Sequence, residues 1–161
     1  MRSLTVIYLA ILGIAIGVEI AAGAFVAPVI FFPQKYLGEG VLTHFQSGIL
    51  MTQVFLKMNL LIGFVALYSI IYEVQVFMMR KNYDFFSFIA SVLVIILTGL
   101  FLFYYTPFIV HAQQLGALET TTEAFATMHK QSEWVMKALM LAQFGLLVRR
   151  GLLSQNNSLH T

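Results

Sequence analysis

The amino-acid sequence predicts an all-α polytopic membrane protein, a bundle of four transmembrane helices. Three observations carry this. Of 161 residues, 60% are hydrophobic and only 10% charged, against roughly 25% charged in an ordinary soluble domain. The mean hydropathy is +0.86. The apolar residues gather into four long segments, and a helix needs about 20 such residues to span a bilayer.

The first segment is Leu4–Phe32, stopped by Pro33. It follows Arg2 as a signal peptide would, but it far exceeds the ~7–15 apolar residues of a signal core and contains Glu19, so it reads as a retained helix. The second is Gln46–Tyr72. The third is Phe85–Val110, and Pro107 predicts a kink near its end. The fourth, Ser132–Leu147, is short as an apolar run. It reaches spanning length if its helix starts near Glu123 and carries His129 and Glu133 inward. The links Pro33–Phe45, Glu73–Asp84 and His111–Met128 are short, the last with an amphipathic piece at Glu119–Met128. Residues 1–153 therefore read as one transmembrane domain, and residues 154–161 as a polar tail expected to fray.

Charge and residue types narrow the function. Arg2, Arg80, Lys81, Arg149 and Arg150 lie at the amino terminus, the second link and the carboxyl tail, whereas the first and third links hold only Lys35 and Lys130. The positive-inside rule then puts both termini in the cytoplasm of a bacterial inner membrane, with the first and third loops outside. Topology accounts for the basic residues, and no nucleic-acid partner is implied. Cysteine is absent, which excludes disulfides, thiolate metal sites and cysteine nucleophiles. No phosphate-binding loop, dinucleotide fingerprint, nucleophile elbow or triad is present, so binding or transport is favoured over catalysis. Gly13, Gly17 and Ala21 repeat at a spacing that lets helices approach closely, within the bundle or in a homo-oligomer.

The charges inside the apolar segments mark the candidate site. Glu19, Lys57, Glu133 and Lys137 each lie at bilayer depth, where an ionisable group costs at least ~2.5–3.5 kcal/mol. Two acids and two bases sum to zero, which predicts a buried polar network between helices. Gln46, Gln53 and Lys57 share one side of the second helix, expected to face the bundle. Glu133 and Lys137 form an i,i+4 pair, and His129, Glu133, Met136, Met140 and Gln143 make one stripe on the fourth helix. Such a network can relay protons or ions or anchor a ligand; equally, it can be a salt-bridge cluster that only fixes packing and register.

His44, His111 and His129 fall on the predicted outer side. Imidazole suits copper, zinc and iron, haem iron included, so these three are candidate ligands of a shared metal or haem, or ordinary interfacial residues. His129 leads because Glu133, one turn on, could orient its ring. His160 lies in the tail. Met51 and Met58 follow His44 at intervals of seven, and Met128 adjoins His129. Thioether with imidazole suits Cu(I), although methionine is also an ordinary apolar filler. The His44–Met51–Met58 side lies roughly opposite Lys57, so the two cannot face one site.

Three stretches carry a family resemblance: Gly17–Phe32 (GVEIAAGAFVAPVIFF), Gly38–Gly48 (GEGVLTHFQSG) and Phe125–Leu147 (FATMHKQSEWVMKALMLAQFGLL). They resemble an uncharacterised bacterial membrane family similar to transmembrane protein 205 of animals. His129 and Ser132 match its fourth-helix pattern; Lys137 stands where asparagine is expected. The neighbourhood is similar to the copper-resistance D and membrane protoporphyrinogen oxidase families, which implies a four-helix core and a copper or haem b ligand but transfers no catalytic residue. The expected function is therefore to bind, and to move or buffer, copper or haem at a polar site opening to the outer face. The alternatives are a haem b membrane oxidoreductase, a small-solute or proton transporter, and a structural subunit.

Overall fold

The computed structural model describes residues 2–79 and 83–158, and among them it is helical with no strand. Four long rods dominate, labelled α1 to α4. The first, α1, is α-helical over Arg2–Ala21, passes through a π-helical turn at Ala22–Val26 and finishes as Ala27–Phe31. Pro28 explains the wide turn. Its ring has no N–H and would collide with the carbonyl four residues back, and widening the ladder by one residue relieves both; Ala27 N–H accordingly donates to Ala22 O. A one-turn helix, Gln34–Leu37, follows and ends at Gly38, whose φ of 87° suits glycine.

The second rod, α2, is His44–Met78. Thr43 caps it in a reciprocal box: Gln46 N–H donates to the Thr43 hydroxyl, and Thr43 N–H donates to Gln46 Oε1 at 2.8 Å. Gln46 is thus a capping residue outside the bundle core. The third rod, α3, repeats the design of α1. It comprises Phe85–Leu100, a π-helical turn at Phe101–Tyr105 and Thr106–Leu115, with Pro107 opening the last part. The disturbance expected at Pro107 therefore takes the form of a widened turn. A single 3₁₀ turn, Glu119–Thr121, leads into α4, Glu123–Ser158.

Each rod packs on two neighbours: α1 on α2 and α4, and α3 on α2 and α4. The ring places the start of α1, the end of α2, the start of α3 and the end of α4 together at one end. The core joins Tyr8, Leu12 and Ala15 of α1 to Ile62, Val65 and Val76 of α2, Val94 of α3, and Leu139 and Leu146 of α4. Large apolar side chains such as Leu60, Phe64, Leu67, Phe88, Ile96 and Phe103 cover the outside, as a bilayer requires and water does not.

Three rods, over Ser3–Phe31, His44–Met78 and Phe85–Leu115, are long and apolar enough to cross a membrane. The fourth expected span is not among these three. Its helix does begin at Glu123, but α4 carries Lys130, Glu133, Lys137, Arg149 and Arg150. Helix continues past Ser154 to Ser158, and residues 159–161, with His160, lie outside the described residues. Arg80 and Lys81 also lie outside them. Gly13 and Gly17 face outward, and a Cβ at either would meet nothing within 4 Å. The small residues that α1 turns inward are Ala15 and Ala22.

Candidate functional site

The two ends of the bundle are built differently. At the end holding both chain termini, polar groups are matched across the rods. Arg150 is 1% exposed and reaches Glu73 in a forked pair, Nε on Oε1 at 3.1 Å and Nη2 on Oε2. Its guanidinium lies 5.3 Å from the Tyr72 ring centroid, and Tyr72 stacks on Tyr8 at 4.3 Å. The Tyr8 hydroxyl donates to Ser69 Oγ at 3.1 Å, and the Tyr72 and Thr5 hydroxyls share a bond of 2.9 Å. Asp84 caps α3, accepting from Ser87 N–H at 2.9 Å, and receives Arg149 Nε at 3.1 Å. Arg149 holds the Asp84 carboxyl well below the usual carboxylate range. Glu73, Arg149 and Arg150 look from the sequence like interfacial charges. Their pairing has no linear signal, because it joins residues 77 and 65 positions apart.

The opposite end encloses a chamber of about 660 Å³. Both widened turns border it, through Gly23 and Ala24 of α1 and Phe101 of α3. Small residues on α1 (Gly23, Ala24, Ala27) and Gly48 on α2 leave the space. The lining is mostly apolar, with phenylalanines from all four rods or their ends: Phe31, Phe45, Phe55, Phe101 and Phe125. His44, Met51 and Met58 of α2 face His129, Met136 and Met140 of α4 across it. Each of these diagonal rods thus contributes one imidazole and two thioethers.

His129 is the best-oriented of the predicted ligands. Its Nε2 lies 3.4 Å from Glu133 Oε1, its ring lies parallel to Phe125 at 5.9 Å, and its buried Nδ1 has no partner. Glu133 also meets Lys137 Nζ at 3.4 Å, and Lys137 lies 5.1 Å from the Trp134 ring. Glu133 and Lys137 are half exposed, so this part of the expected network is a rim. His44 packs on Phe31 at 5.4 Å. His111 is exposed and does not line the chamber, and neither does Met128. Among the described residues, no group of three His, Cys, Asp or Glu side chains converges as a metal cluster. His44 and His129 thus border one chamber and His111 does not.

The buried network requires a correction. Lys57 and Gln53 are exposed and do not reach Glu19. One side of α2 faces the bundle, and Met51, Thr52, Met58, Ile62 and Val65 occupy it. Lys57 lies opposite, where its long stem can carry the ammonium toward the membrane surface. Glu19 alone of the four charges is buried, 6% exposed on the chamber wall. Gln143 of α4 lies near enough to act on it, but both carboxylate oxygens and both Gln143 amide atoms are buried without a completed hydrogen bond. Other polar groups on the chamber wall are better served, with Gln113 Nε2 donating to Thr52 Oγ1 at 2.9 Å and Asn59 Nδ2 to Thr106 Oγ1 at 3.1 Å, although Asn59 Oδ1 has no partner. Sequence reading missed the widening of α1. Its signal is Pro28, a proline inside an apolar helix.

No curated protein and no solved structure matches the chain. A family model described as a domain of unknown function, DUF4149, matches residues 10–117. The match takes in Glu19, His44, Met51 and Met58 and stops before α4. It spans more than half of the chain, so the protein belongs to the DUF4149 family.

Proposed function

We propose that the chamber is a ligand site in a four-span membrane protein, and that its ligand is haem or a comparable metal-bearing apolar molecule. The single observation behind this reading is a 660 Å³ apolar chamber bordered by imidazoles. Small-molecule and cofactor sites occupy ~300–1,000 Å³, whereas a bare ion needs no such space. The orphaned, buried Nδ1 of His129 fits the role. Glu133 Oε1, 3.4 Å from Nε2, would favour the ring proton on that nitrogen and leave the lone pair on Nδ1, as where a carboxylate orients a ligating histidine. His129 would hold the metal, His44 or a methionine would offer a second ligand, and Lys137 at the rim would meet acidic substituents. When bound, the haem would supply redox chemistry; the protein's part is to hold it and exclude water.

A copper reading has its own observation, the two His–Met–Met sets facing each other. Imidazole with thioether favours Cu(I), and the resemblance of three stretches to a family near the copper-resistance proteins is in keeping with it. On either reading the chamber opens to the outer face, since Arg149 and Arg150 lie at the far end and basic residues favour the cytoplasm. Cysteines placed singly at Glu39 and Leu118 should then react with an impermeant thiol reagent from outside, and one at Tyr83 should not; labelling at Tyr83 alone reverses the orientation. These sites leave Gly40 and Gly116 intact, whose φ values of 79° and 113° disfavour a side chain.

The visible spectrum of detergent-purified protein tests the ligand. A Soret band supports haem, and copper in a colourless preparation supports the second reading. His129→Ala should lower occupancy at least about tenfold, as loss of a ligand or its orienting partner does, while His111→Ala, off the chamber, should leave it unchanged. Equal occupancy in both variants and the parent sinks the assignment.

A further inference from the structure

Glu19 is costly as it stands. A carboxyl group sits in the membrane-spanning part of α1, nearly enclosed, with neither oxygen hydrogen-bonded. Burying a charge without a partner is among the larger penalties a fold can carry. The end opposite the chamber, hereafter the sealed end, shows that this chain can pair such groups, since Glu73 has a forked arginine. Lys57 does not come to Glu19, and Lys137 is engaged by Glu133 at the rim.

The surroundings of Glu19 have a matching chemistry. Gln143 is wholly buried beside it and also unpaired, so it offers a second acceptor oxygen at the same spot. One turn along the same face of α1 is Gly23, where a Cβ would meet nothing within 4 Å. That gap lets the Glu19 side chain turn from the wall into the chamber. Above it the chamber is apolar and carries several phenylalanine rings, whose faces attract cations.

From these observations we propose that Glu19 and Gln143 form a subsite for the protonated amine of an apolar organic cation. The ammonium donates to the Glu19 carboxylate and the Gln143 carbonyl, and the hydrocarbon body lies against the phenylalanines. This uses the same chamber but does not rest on the haem or copper reading, because neither His44 nor His129 takes part.

The test uses the full chain in nanodiscs of uncharged lipid at pH 7, titrated calorimetrically with octylamine and with octan-1-ol, against empty discs. Octylamine should bind saturably and at least about tenfold more tightly than the alcohol, the margin expected of a charge-assisted hydrogen bond. Glu19→Gln should erase that preference. Gly23→Leu, which fills the space beside the carboxylate and keeps the charge, should abolish binding of both, so the proposal stays testable if Glu19→Gln fails to fold. Equal affinities for amine and alcohol in the parent, no saturable binding of either, or a preference that survives both variants overturns it. A preparation that shows a Soret band is stripped of haem before the titration, because haem would fill the same chamber.

Discussion

The sealed end and the chamber end of this bundle use similar residues to opposite effect. Both hold carboxylates, aromatic rings and side-chain amides or hydroxyls among four helices. At the sealed end, Glu73 meets Arg150, Asp84 meets Arg149, and Tyr8, Ser69, Tyr72 and Thr5 complete one another. At the chamber end, Glu19, Gln143 and the Nδ1 of His129 are buried without completed bonds. Uninterrupted α-helix meets at the first end; two widened turns sit beside the second. The groups named at the first end are all matched, whereas the chamber wall carries Glu19, a buried carboxyl without a bond; Asn59 Oδ1 and Thr98 Oγ1, which do not line the chamber, are unmatched as well. Unsatisfied buried groups of this kind call for an explanation such as function.

The largest expected effect lies at the sealed end. Truncating one member of a buried ion pair leaves the other charge uncompensated, typically ~3–5 kcal/mol. Glu73→Gln and Arg150→Met should each lower thermal stability in detergent by a shift of that order, and the double variant should recover a good part. Strict additivity would mean that the two ends differ less than the geometry says. Glu19→Gln should by contrast be neutral or stabilising in ligand-free protein, since it replaces a buried carboxyl that has no completed hydrogen bond with a neutral isostere.

A smaller effect belongs to Asp84, which caps α3. Asp84→Ala should cost about 1 kcal/mol at neutral pH, the usual worth of an N-cap. Its pH dependence has a definite sign. The Arg149 guanidinium depresses the folded-state pKa, so the contribution is fully present above the unfolded value of about 3.9 and is lost as pH falls toward the folded one. The gap between parent and variant should stay level from pH 7 to 5 and close only in stronger acid. A gap that closes between pH 7 and 5 would contradict the pairing.

The smallest expected effect is a null coupling. Lys57 faces outward and Glu19 inward, so Glu19→Gln and Lys57→Met should add within ~0.3–0.5 kcal/mol. A clear coupling energy would bring the two together and undo the contrast between the ends.

Periodicity and composition were enough for the helices. The apolar runs, the start at Glu123 and a disturbance at Pro107 are local properties of the chain, governed by propensity, missing donors and the length of hydrocarbon to be crossed. Parts of the site were legible for the same reason: His44 with Met51 and Met58, and His129 with Glu133, are placed together by helical spacing alone. Which face of α2 turns inward was not legible. Lys57 at bilayer depth suggests a partner across the bundle, but the opposite side, with Met51, Met58, Ile62 and Val65, buries more apolar surface against the other rods, and a lysine has a stem long enough to leave. Likewise Arg149 and Arg150 look alike in sequence; one meets Asp84 at the surface and the other is buried on Glu73. The sequence by itself determined the helices, their apolar length and the residue types available for a site. Only the tertiary structure decided which charges were paired and which were left facing a chamber, because pairing depends on distances between segments far apart along the chain, and helical periodicity carries no information about those.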